Sequence, residues 1–156
     1  MMNRLQHLDA TRQMLLEEEH CDKRRALEVF YIWGKTGVGK TRFVMDKYGY
    51  TKVFRVTNYA HPFDGYKGQS VILFDEFRSS LPIADMLNYL DGYPLMLPCR
   101  YADKVACFST IYFASNIPLE KQYQDVPVVE PETYRAFLRR IHHVFELLGD
   151  DPDAPF

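Results

Sequence analysis

The sequence predicts an α/β fold with a central parallel sheet that is flanked by helices. Apolar runs alternate with polar, helix-compatible stretches along the chain, which is the order found in such folds. The runs 29–33, 71–74 and 111–114 are apolar at every position, as strands covered on both faces are. Each run is followed directly by glycine or polar residues. We therefore expect a ligand site at the carboxyl edge of the sheet.

Length and composition are those of one ordinary globular domain. The chain has 156 residues, of which 47% are hydrophobic and 26% are charged. A net charge of −2 gives no general attraction to nucleic acid, so any such contact must use a local basic patch. Cys21, Cys99 and Cys107 have no zinc-ligand spacing, which favours a reduced, intracellular compartment. No signal peptide or bilayer-spanning run is recognisable, so we expect no membrane contact.

A helix is predicted over residues 4–27, ahead of the first strand. A narrow apolar stripe runs along it, formed by Leu5, Leu8, Leu15 and Leu16. Two interpretations of this stripe are equally open: it packs on its own domain, or it is a seam for another subunit. We treat 1–27 as an N-terminal helical segment, to which the second interpretation gives a role in oligomerisation.

The main domain is predicted to span residues 28–148. Within it, a helix over 81–90 is expected to be capped by Ser80 and closed by Gly92. The proline-containing stretch 93–105 is expected to form a hairpin.

The last helix is predicted to start at Pro131 and to run to Leu148, with Gly149 as its stop. At about 100° per residue, one face of it carries an apolar stripe that we expect to join the core. The stripe consists of Tyr134, Phe137, Leu138, Ile141, Phe145 and Leu148. The acidic, proline-containing tail 149–156 is expected to be disordered.

The segment after the first apolar run matches the phosphate-loop pattern G-x-x-x-x-G-K-[ST]. Glycines at this spacing let backbone amides turn towards phosphate oxygens, and the next helix presents its positive end to them. Lys40 supplies charge near the β- and γ-phosphates, while the Thr41 hydroxyl can ligate Mg²⁺. The sequence thus predicts that a nucleoside triphosphate is bound by Gly34, Gly37, Val38, Gly39, Lys40 and Thr41.

Two adjacent carboxylates, Asp75 and Glu76, follow the second apolar run, 35 residues beyond Lys40. We expect Asp75 to hold Mg²⁺, directly or through water, and Glu76 to polarise an attacking water. Hydrolysis needs both, because one carboxylate must bind the metal ion while a second activates the nucleophilic water. A solvated strand end is the plainer interpretation of the pair. Asn116 ends the third run and can sense the γ-phosphate and orient the water, although Ser-Asn-Ile-Pro is also a good turn.

Together these motifs resemble motifs A, B and C of the superfamily 3 helicases, a branch of the AAA+ ATPases. The second and third motifs are carried by 74–77 and 114–116. Segments 64–69 and 137–141 are similar to those of one subgroup, the replication initiator (Rep) proteins of circular single-stranded DNA viruses and related plasmids. Helicases of picornavirus-like RNA viruses share the core motifs more distantly. The resemblance implies an AAA+ P-loop core that uses ATP and Mg²⁺ and assembles as a homo-oligomeric, hexameric ring on single-stranded DNA or RNA.

The stretch 91–104 resembles the B′ element of this family, a hairpin that projects into the ring channel and grips nucleic acid. The resemblance assigns that contact to Arg100, Tyr101 and Lys104. Complete Rep proteins also carry an N-terminal nickase with a His-hydrophobic-His metal motif, which this sequence lacks, and a Tyr-x-x-Lys nucleophile. Residues 101–104 match the second pattern but lie between motifs B and C, so we interpret them as hairpin. The chain is expected to be the ATPase part of a Rep protein, with the nickase elsewhere or missing.

Arg139 and Arg140 lie off the apolar stripe of the last predicted helix, Arg139 nearly opposite to it. An outward arginine can reach the γ-phosphate held by a neighbouring subunit, as an arginine finger does. An ordinary solvated helix face is an equally open interpretation.

The interpretation that joins these features is an ATP-driven ring helicase that moves on single-stranded nucleic acid in the cytoplasm or nucleus of a host cell. One alternative is a small-molecule P-loop kinase, which would need an acceptor pocket and a lid. Another is an assembly module in which the nucleotide only fixes an oligomer. A GTPase is disfavoured because the sequence has no Asn-Lys-x-Asp segment for guanine.

Overall fold

A computed structural model describes residues 4–20 and 23–149 of the chain. Its strands are β1 (Glu28–Trp33), β2 (Val53–Val56), β3 (Val71–Phe74), β4 (Met96–Leu97), β5 (Lys104–Val105), β6 (Thr110–Ser115) and β7 (His143–Glu146). Five of these form one parallel sheet in the order β2-β3-β6-β1-β7, and β4 pairs with β5 as an antiparallel hairpin. The predicted fold class and the hairpin over 93–105 are therefore confirmed.

The helices are α1 (Arg4–His20), α2 (Lys40–Tyr48), α3 (Ile83–Tyr89), α4 (Val126–Val129) and α5 (Pro131–Arg139), with a 3-10 turn at Leu119–Lys121. No helix in the described ranges has the length and apolar character that crossing a bilayer requires.

Two hydrophobic clusters cover the two faces of the sheet. On one face, Val44 of α2 packs with Ile32, Leu73 and Tyr112 from the strands. The opposite face is rich in aromatic residues and is covered by α3 and α5. Its fully buried rings include Tyr31, Phe63, Tyr66, Phe74, Phe77, Phe108, Phe113 and Phe137. Burying one such ring contributes about 2–3 kcal/mol, so this face holds the sheet firmly beneath the site.

The strand register brings the ends of three strands to one edge. Trp33, the last residue of β1, lies opposite Ser115, the last residue of β6. Phe74, the last residue of β3, lies opposite Phe113 of β6. The residues that follow these strands therefore meet at the carboxyl edge of the sheet, as predicted.

The prediction of one helix from Pro131 to Leu148 is wrong. Helix α5 ends at Arg139, and the chain then enters the sheet as β7 alongside β1. Of the predicted stripe, Phe137 and Ile141 are buried, whereas Phe145 is 50% and Leu148 is 74% exposed. Strand pairing prevails over helix periodicity here, since β7 satisfies backbone groups along the otherwise open edge of β1. Of the predicted tail, Gly149 is described, and the remainder lies outside the described residues.

Ser80 does not cap a helix, contrary to the prediction. Helix α3 begins at Ile83 with Pro82 at its N-cap, and Ser80 Oγ instead accepts a hydrogen bond from Arg78 N at 2.9 Å. A hydroxyl that bonds a backbone amide two residues away forms a local turn that competes with capping. Gly92 follows the helix end as expected.

The first predicted helix is too long, because α1 ends at His20 and residues 23–27 are irregular. In this irregular segment Arg25 is buried, and its guanidinium donates to the carbonyl oxygens of Phe108 and Tyr93 at 3.0 and 3.2 Å. Those bonds fix the irregular segment against the domain. Along α1, Leu8 and Leu15 remain more than half exposed, so the use of the stripe as a subunit seam stays a prediction.

Candidate nucleotide site

The phosphate loop connects β1 to α2 with the geometry that its glycines allow. Gly39 forms the N-cap of α2 with a φ of 92°, a left-handed conformation that suits glycine. Gly34 is needed for a different reason, because a Cβ atom there would lie 2.5 Å from the carbonyl oxygen of Leu147. Val38 is buried under the loop, while Gly37 is exposed. The amino end of α2 thus opens towards solvent beside the loop, where an anion can approach it.

Lys40 joins two of the predicted motifs. Its Nζ donates to the carbonyl oxygens of Gly34 and Lys35 at 2.8 and 2.9 Å, and to Asn116 Oδ1 at 3.1 Å. Partial burial lowers the pKa of Lys40, and the nearby carboxylates of Asp75 and Glu76 act in the opposite direction. The lysine is therefore a cation held between the phosphate loop and the end of β6.

Asp75 and Thr41 form the pair of oxygens expected of a Mg²⁺ site. The Thr41 hydroxyl donates to Asp75 Oδ1 at 2.8 Å, and Asp75 is only 3% exposed. Both groups are hard oxygen ligands, which is the donor type that Mg²⁺ requires. No group of three or more His, Cys, Asp or Glu side chains suited to a metal occurs within the described ranges. These residues therefore fit an ion completed by nucleotide phosphates and water, as Mg²⁺ commonly is.

Two partners of Asp75 were not predicted from the sequence. Arg55, in β2, donates from Nε to Asp75 Oδ2 at 2.6 Å. The Tyr59 hydroxyl donates to the Asp75 carbonyl oxygen at 2.6 Å, and burial, followed by the negative charges of Asp75 and Glu76, raises the pKa of this tyrosine. An arginine in a short strand has no motif of its own. The signal that could have found it is the pairing of strands, because β2, which contains Arg55, lies next to β3, which Asp75 follows.

Glu76 is exposed and stands at the mouth of the site. Its backbone has a φ of 47°, and its amide donates to Asp75 Oδ1 at 3.0 Å. A cavity of about 280 Å³ opens here, lined by Thr36, Gly37, Gly39, Lys40, Thr41, Arg42, Asp75, Glu76 and Asn116. Residues of all three predicted motifs thus surround one cavity at the carboxyl edge, whereas Gly34 and Val38, which were also predicted to bind the nucleotide, are not among its lining residues.

Arg139 and Arg140 do not lie at this cavity. Arg139 is the last residue of α5 and Arg140 is its C-cap, and both precede β7, whose first residue, His143, pairs with Phe30 in the first half of β1. Both arginines are therefore at the amino edge of the sheet, opposite the phosphate loop. They line a different cavity of about 630 Å³, together with Arg24, Arg25, Ala26, Leu27, Leu90, Asp91, Tyr93 and His142.

The hairpin keeps both of its predicted basic residues in contact with the domain. Arg100 Nε lies 2.5 Å from Asp64 Oδ2, and Lys104 Nζ donates to the Asp64 carbonyl oxygen. Hydrogen bonds from Arg100 lower the pKa of Asp64, and the same pairing raises the pKa of Arg100. Tyr101 is 97% exposed at the tip. The sequence did not predict that Asp64 anchors the hairpin.

A phosphate loop after β1, a buried carboxylate after β3 and an amide after β6 define a nucleotide-binding protein of the P-loop class. A family model described as RNA helicase matches residues 30–116, which include all three motifs. The matched range is more than half of the chain. The chain therefore belongs to this RNA helicase family.

Curated relatives extend the match beyond the core motifs. The replication-associated protein of beak and feather disease virus is 33% identical over 112 residues, which are 72% of this chain and 37% of that protein. The replication-associated protein of canary circovirus is 28% identical over 127 residues, covering 81% and 43%. That of pigeon circovirus is 31% identical over 134 residues, covering 81% and 39%.

These matches confirm the resemblance to Rep-type superfamily 3 helicase domains. The chain spans about two fifths of the length of these relatives. Over most of its own length, the chain is similar to part of these viral replication-associated proteins.

Proposed function

We propose that this domain hydrolyses ATP with Mg²⁺ and uses the energy to move along single-stranded nucleic acid as part of a homo-oligomeric ring. The observation that carries the proposal is the joining of three strand ends. Lys40 bonds Asn116, and Thr41 bonds Asp75, so that the phosphate loop contacts both other motifs around one cavity. This arrangement supports coordinated contact with phosphates, metal and attacking water.

Each group has a role that follows from its position. Lys40 would exchange its loop carbonyl contacts for oxygens of the β- and γ-phosphates. Thr41 and Asp75 would hold Mg²⁺, which supplies charge neutralisation at the phosphates when bound. Glu76 is exposed and lines the cavity, so a water there can donate a hydrogen bond to its carboxylate. Asn116 would sense the γ-phosphate through its contact with Lys40.

We further propose that Arg139 or Arg140 completes the nucleotide site of a neighbouring copy. Both line the amino-edge cavity, in which Arg24 and Arg25 add two more cations and Asp91 is the lining carboxylate. A concentration of guanidinium groups in a chain with a net charge of −2 favours an anionic ligand. The triphosphate held by a second subunit is such a ligand.

The nucleic-acid contact is proposed for Arg100, Tyr101 and Lys104 of the hairpin. The exposed Tyr101 ring suits stacking on a base, which is how single strands are bound without sequence preference. Both cations would have to exchange Asp64 for backbone phosphates. Two phosphate contacts per subunit give little affinity at physiological salt, and a ring multiplies them. DNA is the proposed strand, because the motifs resemble those of Rep proteins of circular single-stranded DNA viruses, and this origin would also place the protein inside a host cell. A nickase would be a further domain of a full-length protein.

The test is phosphate release by the purified chain in the presence of ATP and Mg²⁺, with no added acceptor. We expect Lys40→Ala to lower the rate at least about 100-fold, because it removes charge stabilisation of the transferred phosphoryl group. Lys47→Ala, an exposed lysine in the last turn of the same helix, is the matched control and should keep the rate. Release that requires an acceptor other than water would instead support a kinase. Tight assembly without turnover would support an assembly module.

A further inference from the structure

Strained backbone is concentrated beside the nucleotide site. Within residues 4–20 and 23–149, the non-glycine residues with positive φ are Glu76 at 47°, Ser79 at 47° and Tyr123 at 52°. Such conformations are uncommon in non-glycine residues and persist where the surrounding contacts over-determine them. Ser79 and Tyr123 both adjoin one buried side chain, Gln122.

Gln122 is completely buried, and its amide is fully engaged. Its Oε1 accepts from Ser79 N at 2.6 Å and from Ser79 Oγ at 3.1 Å. Its Nε2 carries two protons and lies within hydrogen-bond distance of three acceptors, so that at least one proton is shared: the Phe77 carbonyl oxygen at 3.0 Å, Ser115 Oγ at 3.0 Å and the Tyr31 hydroxyl at 2.9 Å. The orientation of the amide is fixed, because a backbone amide can only donate and a backbone carbonyl can only accept.

The network reaches both neighbours of Asn116. Ser115 Oγ accepts from Ile117 N at 3.2 Å, and the Tyr31 hydroxyl donates to the Ile117 carbonyl oxygen at 2.7 Å. Both hydroxyl oxygens also lie within hydrogen-bond distance of Gln122 Nε2. The backbone on either side of Asn116 is therefore held by groups that Gln122 connects.

The same network holds the residue that follows Glu76. Phe77 N donates to the Ala114 carbonyl oxygen at 2.9 Å, and the Phe77 carbonyl oxygen accepts from Ser115 Oγ at 2.7 Å as well as from Gln122. On its other side, Glu76 N is bonded to Asp75. The strained backbone of Glu76 is thus clamped between the proposed metal ligand and the Gln122 network.

We propose that Gln122 is a positioning residue that fixes Glu76 and Asn116 relative to each other for the attack of water on the γ-phosphate. It lies outside the lining of the nucleotide cavity and acts only through its hydrogen-bonded neighbours. The inference rests on the proposed hydrolysis. It predicts that weakening the network slows turnover and leaves nucleotide affinity intact, because the hydrogen bonds of the Gln122 amide go to residues outside the phosphate loop and α2.

Two variants test this role. Gln122→Met keeps the length of the side chain and removes every hydrogen bond of the Gln122 side-chain amide. Tyr31→Phe removes one hydroxyl, which links Gln122 to Ile117, and is the variant that decides if Gln122→Met does not fold. The matched control is Tyr48→Phe, which removes a hydroxyl that pairs with Tyr112 at 2.9 Å on the other face of the sheet.

The measurements are kcat for phosphate release, KM for ATP, the Kd of a fluorescent ATP analogue and the unfolding midpoint. We expect Gln122→Met to lower kcat at least about tenfold and Tyr31→Phe about threefold or more, with Kd changed less than about twofold. Combining Tyr31→Phe with Asn116→Ala should lower kcat by less than the product of the single effects, because both act through one group. Equal kcat in Tyr31→Phe and Tyr48→Phe, or a parallel loss of affinity and turnover, would overturn the proposal. Absence of hydrolysis by the unmodified chain would instead refute the proposed function.

Discussion

The pairing of Arg55 with Asp75 makes a prediction that separates stability from metal binding. Replacing Arg55 with Met keeps much of the aliphatic stem and removes the guanidinium from a carboxylate that is 3% exposed. A hydrogen bond to a charged group contributes about 1.5–3 kcal/mol. Because the Arg55 side chain is 47% exposed, solvent screens part of this, and we expect a loss of about 1–2 kcal/mol. For a chain of this size, that lowers the unfolding midpoint by about 3–6 °C.

Binding of Mg²⁺ should restore the stability that Arg55→Met loses. Without Arg55, Asp75 has one cation fewer beside it, so Mg²⁺ with a non-hydrolysable ATP analogue should raise the unfolding midpoint more in the variant than in the unmodified chain. The assay is thermal unfolding followed by circular dichroism, with and without the two ligands.

Arg42→Ala is the control for the loss of stability. The ion pair between Arg42 and Asp46 is exposed and contributes about 0.3–0.5 kcal/mol. A loss in Arg55→Met no larger than in this control would refute the pairing. An equal or smaller effect of Mg²⁺ would refute the assignment of Asp75 to the metal.

Three other changes test the proposed roles. Glu76→Gln should bind the fluorescent ATP analogue normally and hydrolyse ATP at least about 100-fold more slowly, because it keeps the shape and loses the charge that polarises water. Joint replacement of Arg100 and Lys104 by Ala should abolish single-strand binding, measured by fluorescence anisotropy at several salt concentrations, while basal hydrolysis survives. A subunit with Arg139 and Arg140 replaced by Ala should regain activity when mixed with a subunit that lacks the phosphate-loop lysine. At some interfaces of the mixed assembly, an intact phosphate loop of one subunit then faces intact arginines of its neighbour.

Each of these tests has an outcome that contradicts it. Loss of ATP binding with an unchanged rate per site in Glu76→Gln would mean that the two carboxylates have exchanged roles. Unchanged affinity and salt dependence in the hairpin variant would remove the hairpin from the contact. Asp64→Asn, which weakens the anchor of Arg100 and leaves the carbonyl oxygen that holds Lys104 in place, is its control and should bind at least as well as the unmodified chain. Mixed assemblies that show no rescue at any ratio would count against the trans role.

The sequence predicted those features whose cause is local. The phosphate loop is a pattern of residue types. Asp75 directly follows one fully apolar run and Asn116 follows another after a single serine, and this position led to their prediction. Since parallel strands end at one edge, knowing the strand ends was enough to place these groups together.

Features with a distant cause were missed. Arg55 acts through a hydrogen bond to a residue 20 positions away, and Gln122 acts through hydrogen bonds to residues from 7 to 91 positions away, so neither leaves a periodic signature. Strand β7 was mistaken for helix because its apolar residues fit either period over so short a length. Its state is decided by β1, more than 100 residues earlier in the chain, whose free backbone groups it satisfies, as in the bond from Leu147 N to Trp33 O at 2.8 Å.

That correction changes what the arginines can do. A helix to Leu148 would have left the positions of Arg139 and Arg140 along the sheet undefined. As β7 runs parallel to β1, the chain must return to the amino edge before His143 pairs with Phe30, and the arginines lie on that return. The phosphate loop starts beyond the opposite end of β1, whose 6 residues span about 20 Å. This is farther than an arginine side chain extends, so neither residue can reach the γ-phosphate of its own subunit. If either arginine acts on a nucleotide, that nucleotide belongs to another copy, which is why subunit mixing is the decisive experiment.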